Sequence, residues 1–285
     1  MKQLSIVIVS YNNLQVLKNC LNSIEEYNDI GENLECIVVE QSPSNEIYET
    51  IQREYKWISV VRAKNRGFGA GNNIGAKIAR SPYLLFLNPD TILVESIAKH
   101  AIEKFETDKQ LGLFGYSLLG ANGEKLPGFY SINSYGIVNK IVNKCYLKLN
   151  RFVPKRMYIQ GADMFVRAKA FNDVGGFDEE IFMYCEEPDL CRRIIDKGYA
   201  IRYFPEKRIV HLQGMCTEEH LAHTIDMQLD SFEYLCKKNN WDYKRIMKQE
   251  LTAQKIKTIF AIITFSQKDI SSSRITCDII RAKIK

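Results

Sequence analysis

Short, continuous apolar runs alternate with segments of helical spacing through roughly the first ninety residues, and this alternation constrains the fold more than any other feature. Residues 4–9 (LSIVIV) are apolar and β-branched without interruption, the pattern of a strand covered on both faces. Residues 14–24 carry Leu14, Leu17, Leu21 and Ile24 at helical spacing. A second buried strand follows at 34–39, a helix at 47–55, a third strand at 58–61, a helix at 70–79 and a fourth strand (YLLFL) at 83–87. Strands alternating with crossover helices imply a parallel sheet with right-handed connections.

Beyond Asp90 the pattern predicts a helix over 92–105, a strand over 111–119 and a turn at Asn122-Gly123 within a hairpin. Residues 127–154 show no clean periodicity and are expected to form a variable region over the sheet edge. Regular signals return with a strand at 164–166, a helix starting near Ala168, a turn at Gly175-Gly176-Phe177 and a helix over 189–197. A strand at 199–204, a further short one begun by Ile209-Val210-His211, and helix from Glu218 onward complete the reading.

Composition removes several classes. With 285 residues, 46% hydrophobic and 26% charged, the chain can build a sizeable core, so disorder, collagen-like repeats and a coiled coil are excluded for the whole. No apolar run approaches the roughly 18 residues of a membrane span; the longest are 6–9 and 259–265. Met1-Lys2-Gln3 leads directly into a strand-like segment with no signal-peptide pattern, so a cytoplasmic protein is expected. The eight cysteines form no CxxC pair and no metal-ligand spacing, and read as free thiols in a reducing compartment.

The net charge of +5 is uneven. Residues 244–285 carry ten basic and three acidic side chains, a net of +7, which leaves −2 on the remainder. A near-neutral body argues against nucleic-acid binding. The tail interleaves its bases with Ile256, Ile259, Phe260, Ile262, Ile263 and Phe265, as a helix at an anionic membrane surface would. A solvated terminal helix packed on the body is the alternative.

Ligands of open parallel sheets bind beyond the carboxyl ends of the strands. The loops there are Ser10-Tyr11-Asn12-Asn13, Glu40-Gln41-Ser42, residues 65–75 (NRGFGAGNNIG) and Asn88-Pro89-Asp90-Thr91. The glycine-rich stretch opens a helix, and its glycines permit close backbone approach to a nucleotide or sugar. It is neither a GxGxxG dinucleotide fingerprint nor a P-loop. A tight helix start needing small residues is its plain structural alternative. Asp90, at the end of an apolar strand, could hold a hard divalent cation through oxygen, although Asn-Pro-Asp is also good turn chemistry. Glu186 and Glu187 precede and cap a helix with Pro188 at its first position. Such acids satisfy a helix start, but adjacent carboxylates after an apolar Phe-Met-Tyr run can also raise one another's pKa toward that of a general base. Asp189 and Arg193 form an intrahelical pair, and His211 closes an apolar strand.

The order of these motifs resembles the family-2 glycosyltransferases, and most the bacterial rhamnosyltransferase-like branch. The resemblance covers about residues 4–223. It rests on SIVIVSYNN (5–13), NRGFGAGNNIG, LFLNPD (85–90), GADMFVRAKAFNDVGGFDE (161–179), FMYCEEPDLCRR (182–193) and HLQG (211–214). It implies an α/β fold of GT-A type: a single domain with a mostly parallel, Rossmann-like central sheet flanked by helices, plus a C-terminal helical extension. Residues 1–217 would form that domain, with 1–90 the nucleotide-binding half and 91–217 the acceptor and catalytic half, and 218–285 the basic extension.

The resemblance further implies inverting transfer of a sugar from a UDP- or dTDP-sugar to a hydroxyl of a glycan or lipid-linked acceptor in cell-surface polysaccharide synthesis. Ser10, Tyr11 and Glu40 would line the nucleoside pocket, and Asn65, Gly67 and Asn73 match the donor-contacting stretch, with Asn88 beside them. Asp90 matches the last position of the metal-binding element and His211 its assisting histidine, for Mg²⁺ or Mn²⁺. Glu186 and Glu187 match the pair that supplies the base, with Glu187 favoured. Glu40, Asn88 and Glu187 each stand where the family pattern has Asp. A non-catalytic carbohydrate- or partner-binding protein on the same fold is a rival reading. A sugar-phosphate nucleotidyltransferase would need a glycine-rich loop directly after the first strand, where this chain has Ser10-Tyr11-Asn12-Asn13.

Overall fold

The alternating segments assemble into one large sheet. A computed structural model describes residues 1–212 and 218–284. The first half runs β1 (Leu4–Ser10), α1 (Leu14–Glu26), β2 (Leu34–Glu40), α2 (Glu46–Glu54), β3 (Ile58–Arg62), α3 (Phe68–Ile78) and β4 (Tyr83–Leu87). It continues through β5 (Thr91–Leu93), α4 (Ala98–Thr107), β6 (Leu111–Leu119), β7 (Lys125–Leu126), β8 (Phe129–Ser131) and α5 (Ile137–Lys148). Next come β9 (Met157–Ile159), β10 (Asp163–Arg167), α6 (Ala168–Asp173), α7 (Glu186–Asp196) and β11 (Ala200–His211). Three helices close the chain: α8 (Glu218–Lys238), α9 (Tyr243–Ile263) and α10 (Gln267–Ile284).

The main sheet has the order β3-β2-β1-β4-β10-β6-β11-β5, with β7 hairpinned onto β6 through the Asn122-Gly123 turn. Strands β1 to β4 are mutually parallel, as is the β6–β11 pair, while β10 and β5 run antiparallel to their neighbours. Every residue of β1, β2 and β4 is buried, because helices cover both faces. One face packs Leu4, Ile6 and Ile8 against Leu17, Leu21 and Ile24 of α1, Ile47 and Ile51 of α2, and Phe105 of α4. On the other, α3 lies so close to β1 that a Cβ on Gly75 would come within 2.2 Å of the Val7 side chain, and one on Gly71 within 2.8 Å of Val9. Gly75→Ala is therefore expected to destabilise by about 1–3 kcal/mol through overpacking, read as a lower thermal midpoint. An unchanged midpoint would mean that α3 does not seat on β1 as described.

Four expectations are corrected. Residues 92–97 do not begin a helix: Thr91–Leu93 form β5, and α4 starts only at Ala98. The helix over 189–197 starts earlier, at Glu186, so Pro188 is the third helical residue and the two glutamates sit inside the first turn. A proline there costs no intrahelical bond, since the first N–H groups of a helix have no partner. The two strands expected within 199–211 are one, Ala200–His211, with a register shift between Phe204 and Arg208. The stretch 127–154, read as irregular, contains β8 and α5.

Asp163, inside the GADMFVR motif, is fully buried at the start of β10. One carboxylate oxygen accepts the Tyr116 N–H (2.6 Å), beyond the last paired residues of β10 and β6, and the other has no partner. Burial pushes this acid well above the usual carboxylate range.

The chain divides into two compact units. One comprises residues 1–130, 152–182 and 186–214; the other comprises 131–151, 183–185 and 215–285. The second unit has its own core, formed by Leu229, Phe232, Leu235, Tyr243, Met247 and Ile280. Among the described residues no helix is long and apolar enough to cross a membrane. The seven described cysteines are free, five of them buried.

Candidate active site

Strand order reverses between β1 and β4, so the crevice beyond their carboxyl ends is the topological switch point where such sheets bind ligands. Ser10 ends β1 and pairs with Glu40 at the end of β2. Both are buried, and both present a polar atom with no partner: the Ser10 hydroxyl and Glu40 Oε2. Glu40 Oε1 accepts the Ser42 N–H at 2.6 Å. Next to their strand ends lies a cavity of about 540 Å³ lined by Tyr11, Gln41, Ser42, Arg62, Lys64 and Asn65, among others, a volume usual for small-molecule sites; neither Ser10 nor Glu40, both expected in the nucleoside pocket, is among its lining residues. Buried polar atoms without a partner are costly unless a ligand or water meets them.

Arg62 and Lys64 were not singled out in the sequence. Arg62 ends β3, and its guanidinium donates to the Ser42 (3.0 Å) and Ser44 (2.7 Å) carbonyls and to Asn45 Oδ1, fixing the loop after β2 as a cavity wall. The available signal was position, since both follow the third strand directly before Asn65.

The glycine-rich stretch does two jobs. Asn65 reaches the cavity and turns the chain by accepting the Gly67 N–H at 3.1 Å. Gly67 adopts φ +99°, and a Cβ there would lie 2.0 Å from the Phe182 carbonyl oxygen, which also accepts the Phe68 N–H at 3.0 Å. Asn73 spends its amide inside the fold: Nδ2 donates to the Phe177 carbonyl (2.9 Å) and Glu179, and Oδ1 accepts the Phe177 N–H (2.9 Å). Gly67 and Asn73 thus join the stretch to the GGFDE turn and to Phe182.

At the end of β4 the Asn88 N–H donates to the Ala162 carbonyl (3.1 Å), while the Asn88 carbonyl accepts from the Thr91 N–H and hydroxyl. The turn delivers Asp90, partly exposed, to the rim. Strand β5 then pairs Thr91 with His211 of β11, and the Leu212 N–H donates to the Asp90 carbonyl (2.9 Å). This ladder sets His211 Nε2 3.3 Å from Asp90 Oδ1. The strand that replaced the expected helix is what brings these two together. His211 Nδ1 is buried with no partner. One carboxylate oxygen and one imidazole nitrogen fit a divalent cation that takes its remaining ligands from water and phosphate, the imidazole suiting Mn²⁺ better than Mg²⁺. No group of three or more His, Cys, Asp or Glu gathers among the described residues. Gln213 and Gly214 of the HLQG motif lie outside the described residues.

The glutamates arrive at the same rim. Glu187 Oε1 accepts the Gly161 N–H at 3.2 Å, and Gly161 adjoins Ala162, whose carbonyl holds Asn88. A Cβ on Gly161 would stand 2.8 Å from that carboxylate oxygen, so a larger residue there would push the Glu187 side chain aside. Glu187 is half-buried, whereas Glu186 is buried and its Oε2 has no partner. Burial raises both acids, and the charge of Glu187 raises Glu186 further, well above the ordinary 4.5. The two carboxyls titrate as a coupled pair, and Glu186 is the more strongly raised of them. Tyr184 and Cys185, directly before α7, both adopt left-handed φ (65° and 67°). Non-glycine residues seldom take that conformation, and backbone strain of this kind clusters at functional sites. Asp189 and Arg193 pair as expected (2.7 Å), and Arg193 also caps the Val174 and Gly176 carbonyls.

A half-parallel sheet of this order has the GT-A architecture. Residues 5–173 match the family described as Glycosyl transferase family 2, and the chain belongs to that family. It is similar to Rhamnosyltransferase WbbL of Escherichia coli (strain K12), 27% identical over 261 residues that cover 85% of this chain and 97% of the relative. It is also similar to an N-acetylglucosaminyl-diphospho-decaprenol L-rhamnosyltransferase of Mycobacterium tuberculosis, 41% identical over 69 residues, which are 23% of this chain and 22% of that one. Among solved structures, the fold is shared with the mannosyltransferase PcManGT from Pyrobaculum calidifontis in complex with GDP-Man and Mn²⁺. The TM-score is 0.67 at 10% identity, over 99% of this chain and 86% of that one.

Proposed function

We propose that the chain transfers a sugar, with inversion, from a UDP- or dTDP-sugar to a hydroxyl of a glycan or lipid-linked acceptor in cell-surface polysaccharide synthesis. The observation that carries this reading is the connection of the two acidic elements: Glu187 holds Gly161, and the adjoining Ala162 holds Asn88, two residues from Asp90. Similarity to a rhamnosyltransferase over 97% of that protein's length supports the class of reaction.

Ser10, Tyr11 and Glu40 take the nucleoside, with Asn65 and Asn88 toward the sugar and diphosphate, while Gly67 and Asn73 shape the stretch that presents Asn65. Mg²⁺ or Mn²⁺ held by Asp90 and His211 would neutralise charge developing on the departing nucleoside diphosphate. Glu187, ionised, accepts the proton of the acceptor hydroxyl as that oxygen attacks the anomeric carbon from the face opposite the leaving group. Glu186, protonated and buried behind it, keeps the single negative charge on its neighbour. One displacement at that carbon inverts its configuration.

In this reading residues 1–90 serve the donor, 91–217 the acceptor and catalysis, and the helical extension 218–285 holds a cytoplasmic enzyme against a membrane surface carrying its acceptor. Purified protein should be stabilised by one member of a nucleotide-sugar panel, by about 2.7 kcal/mol when the ligand is at 100 times its Kd. It should also release the nucleotide slowly with Mn²⁺ and not with EDTA. No stabilisation and no release with any donor would leave only a binding protein on this fold.

A further inference from the structure

In the second unit the amphipathic pattern is turned outward. Helix α5 has no buried residue. Val138, Ile141, Val142, Cys145 and Leu149 recur on it and just past its end at spacings of about three and four residues, and Val138 and Leu149 are 72% and 71% exposed. Lys140, Lys144 and Lys148 run beside that stripe, and residues 131–151 contain no acid at all. The far half of α9 is inverted in the same way. The residues it buries are alanines, Ala253 and Ala261, while Ile256, Ile259, Phe260 and Ile263 face solvent at i, i+3, i+4 and i+7. Phe265, in the turn to α10, is 88% exposed.

These two helices belong together. The Gly136 N–H at the start of α5 donates to Glu250 Oε2 of α9 (2.8 Å), and the Lys140 ammonium pairs with the other oxygen of the same buried carboxylate. By contrast α10, the last helix of the tail, is spoken for. Cys277 and Ile280 are buried, and Lys283 bridges Asp226 and Asp230 of α8.

We infer that α5 and the outer half of α9 form a two-helix surface that docks flat on an anionic lipid bilayer, with α10 a strut rather than a contact. The inference deepens the membrane reading of the tail, on which it rests, by moving the contact to an element in the middle of the sequence. Charge selects the occupant. The second unit carries sixteen basic and nine acidic side chains, a net of +7 against −2 for the first. Two copies facing each other would set like charge against like, whereas an anionic headgroup layer complements it. Exposed Phe and Ile ringed by Lys is the composition of helices that lie at the headgroup boundary.

The test uses the full chain and vesicle flotation, with phosphatidylethanolamine–phosphatidylglycerol vesicles against neutral phosphatidylcholine at low and high salt. Wild type should float with the anionic vesicles alone and lose binding at high salt. Val138→Glu with Ile141→Glu, and separately Ile259→Glu with Ile263→Glu, should each weaken partition at least tenfold while keeping the wild-type rate of donor hydrolysis. Equal partition of the α5 variant and wild type would overturn the proposal, as would absence of wild-type binding. So would a vesicle-free dimer in sedimentation that either variant dissociates, since the face would then belong to a second copy. Vesicle binding without any donor hydrolysis would remove the catalytic reading and leave this surface standing.

Discussion

Glu187→Gln should lower turnover by about 10²–10⁴-fold, the usual worth of a positioned general base, with the donor KM changed only a few-fold. The amide keeps the shape and can still face the Gly161 N–H, but it cannot take a proton. Glu186→Gln should behave differently. Sequence alone treats the two as alternatives, but in the proposed reading Glu186 is the buried partner that keeps its proton, and glutamine resembles that state. Its turnover is expected to stay within a few-fold of wild type. The wild-type pH–rate profile should have an acidic limb above 4.5, because burial raises Glu187 and activity appears only as it loses its proton. Steady-state kinetics of both variants across pH decides the assignment; full activity with both glutamates replaced would remove it.

Asp90→Ala should reduce transfer by at least about 10²–10³-fold, the scale for removing one electrostatic stabiliser of a developing charge. EDTA should do the same to wild type, with Mn²⁺ restoring it. His211→Ala should cost less at saturating metal and instead raise the Mn²⁺ concentration needed for half-maximal activity, since one neutral ligand is lost and the carboxylate remains. Activity that persists in EDTA, with Asp90→Ala matching wild type, would end the cation reading. The substitution removes no packed apolar atoms, and Asp90 is partly exposed, so an unchanged thermal midpoint should accompany the loss.

The parallel half of the fold was legible because each strand is buried on both faces and each crossover helix on one, which writes two distinct periods into the sequence. Legibility failed where tertiary pairing overrode local pattern. Ile92, Leu93 and Val94 form an apolar run shortly before α4, so β5 reads as its first turn; the partner of Ile92, 118 residues away on β11, leaves no local trace. Helix α5 went unread because its apolar stripe faces outward and its lysines blur the contrast. At the site, Ser10, Glu40 and Asp90 were singled out by position at strand ends, and the glutamates by position at a helix start. The division of labour within residues 65–75 was not, because a glycine that admits a ligand and one that admits a carbonyl look identical in sequence.

The stitch between Gly67 and Phe182 bears on how this enzyme could be recombined. The chain that presents Asn65 and the chain that leads into the glutamate helix meet backbone to backbone, with no side chain between them to absorb a misfit. A segment grafted from a relative across residues 65–75, the stretch proposed to meet the donor, must therefore travel with its own partner segment through residue 182. Exchanging either alone would leave mismatched main chains, and new sugar preference would be lost to poor assembly before it could be measured.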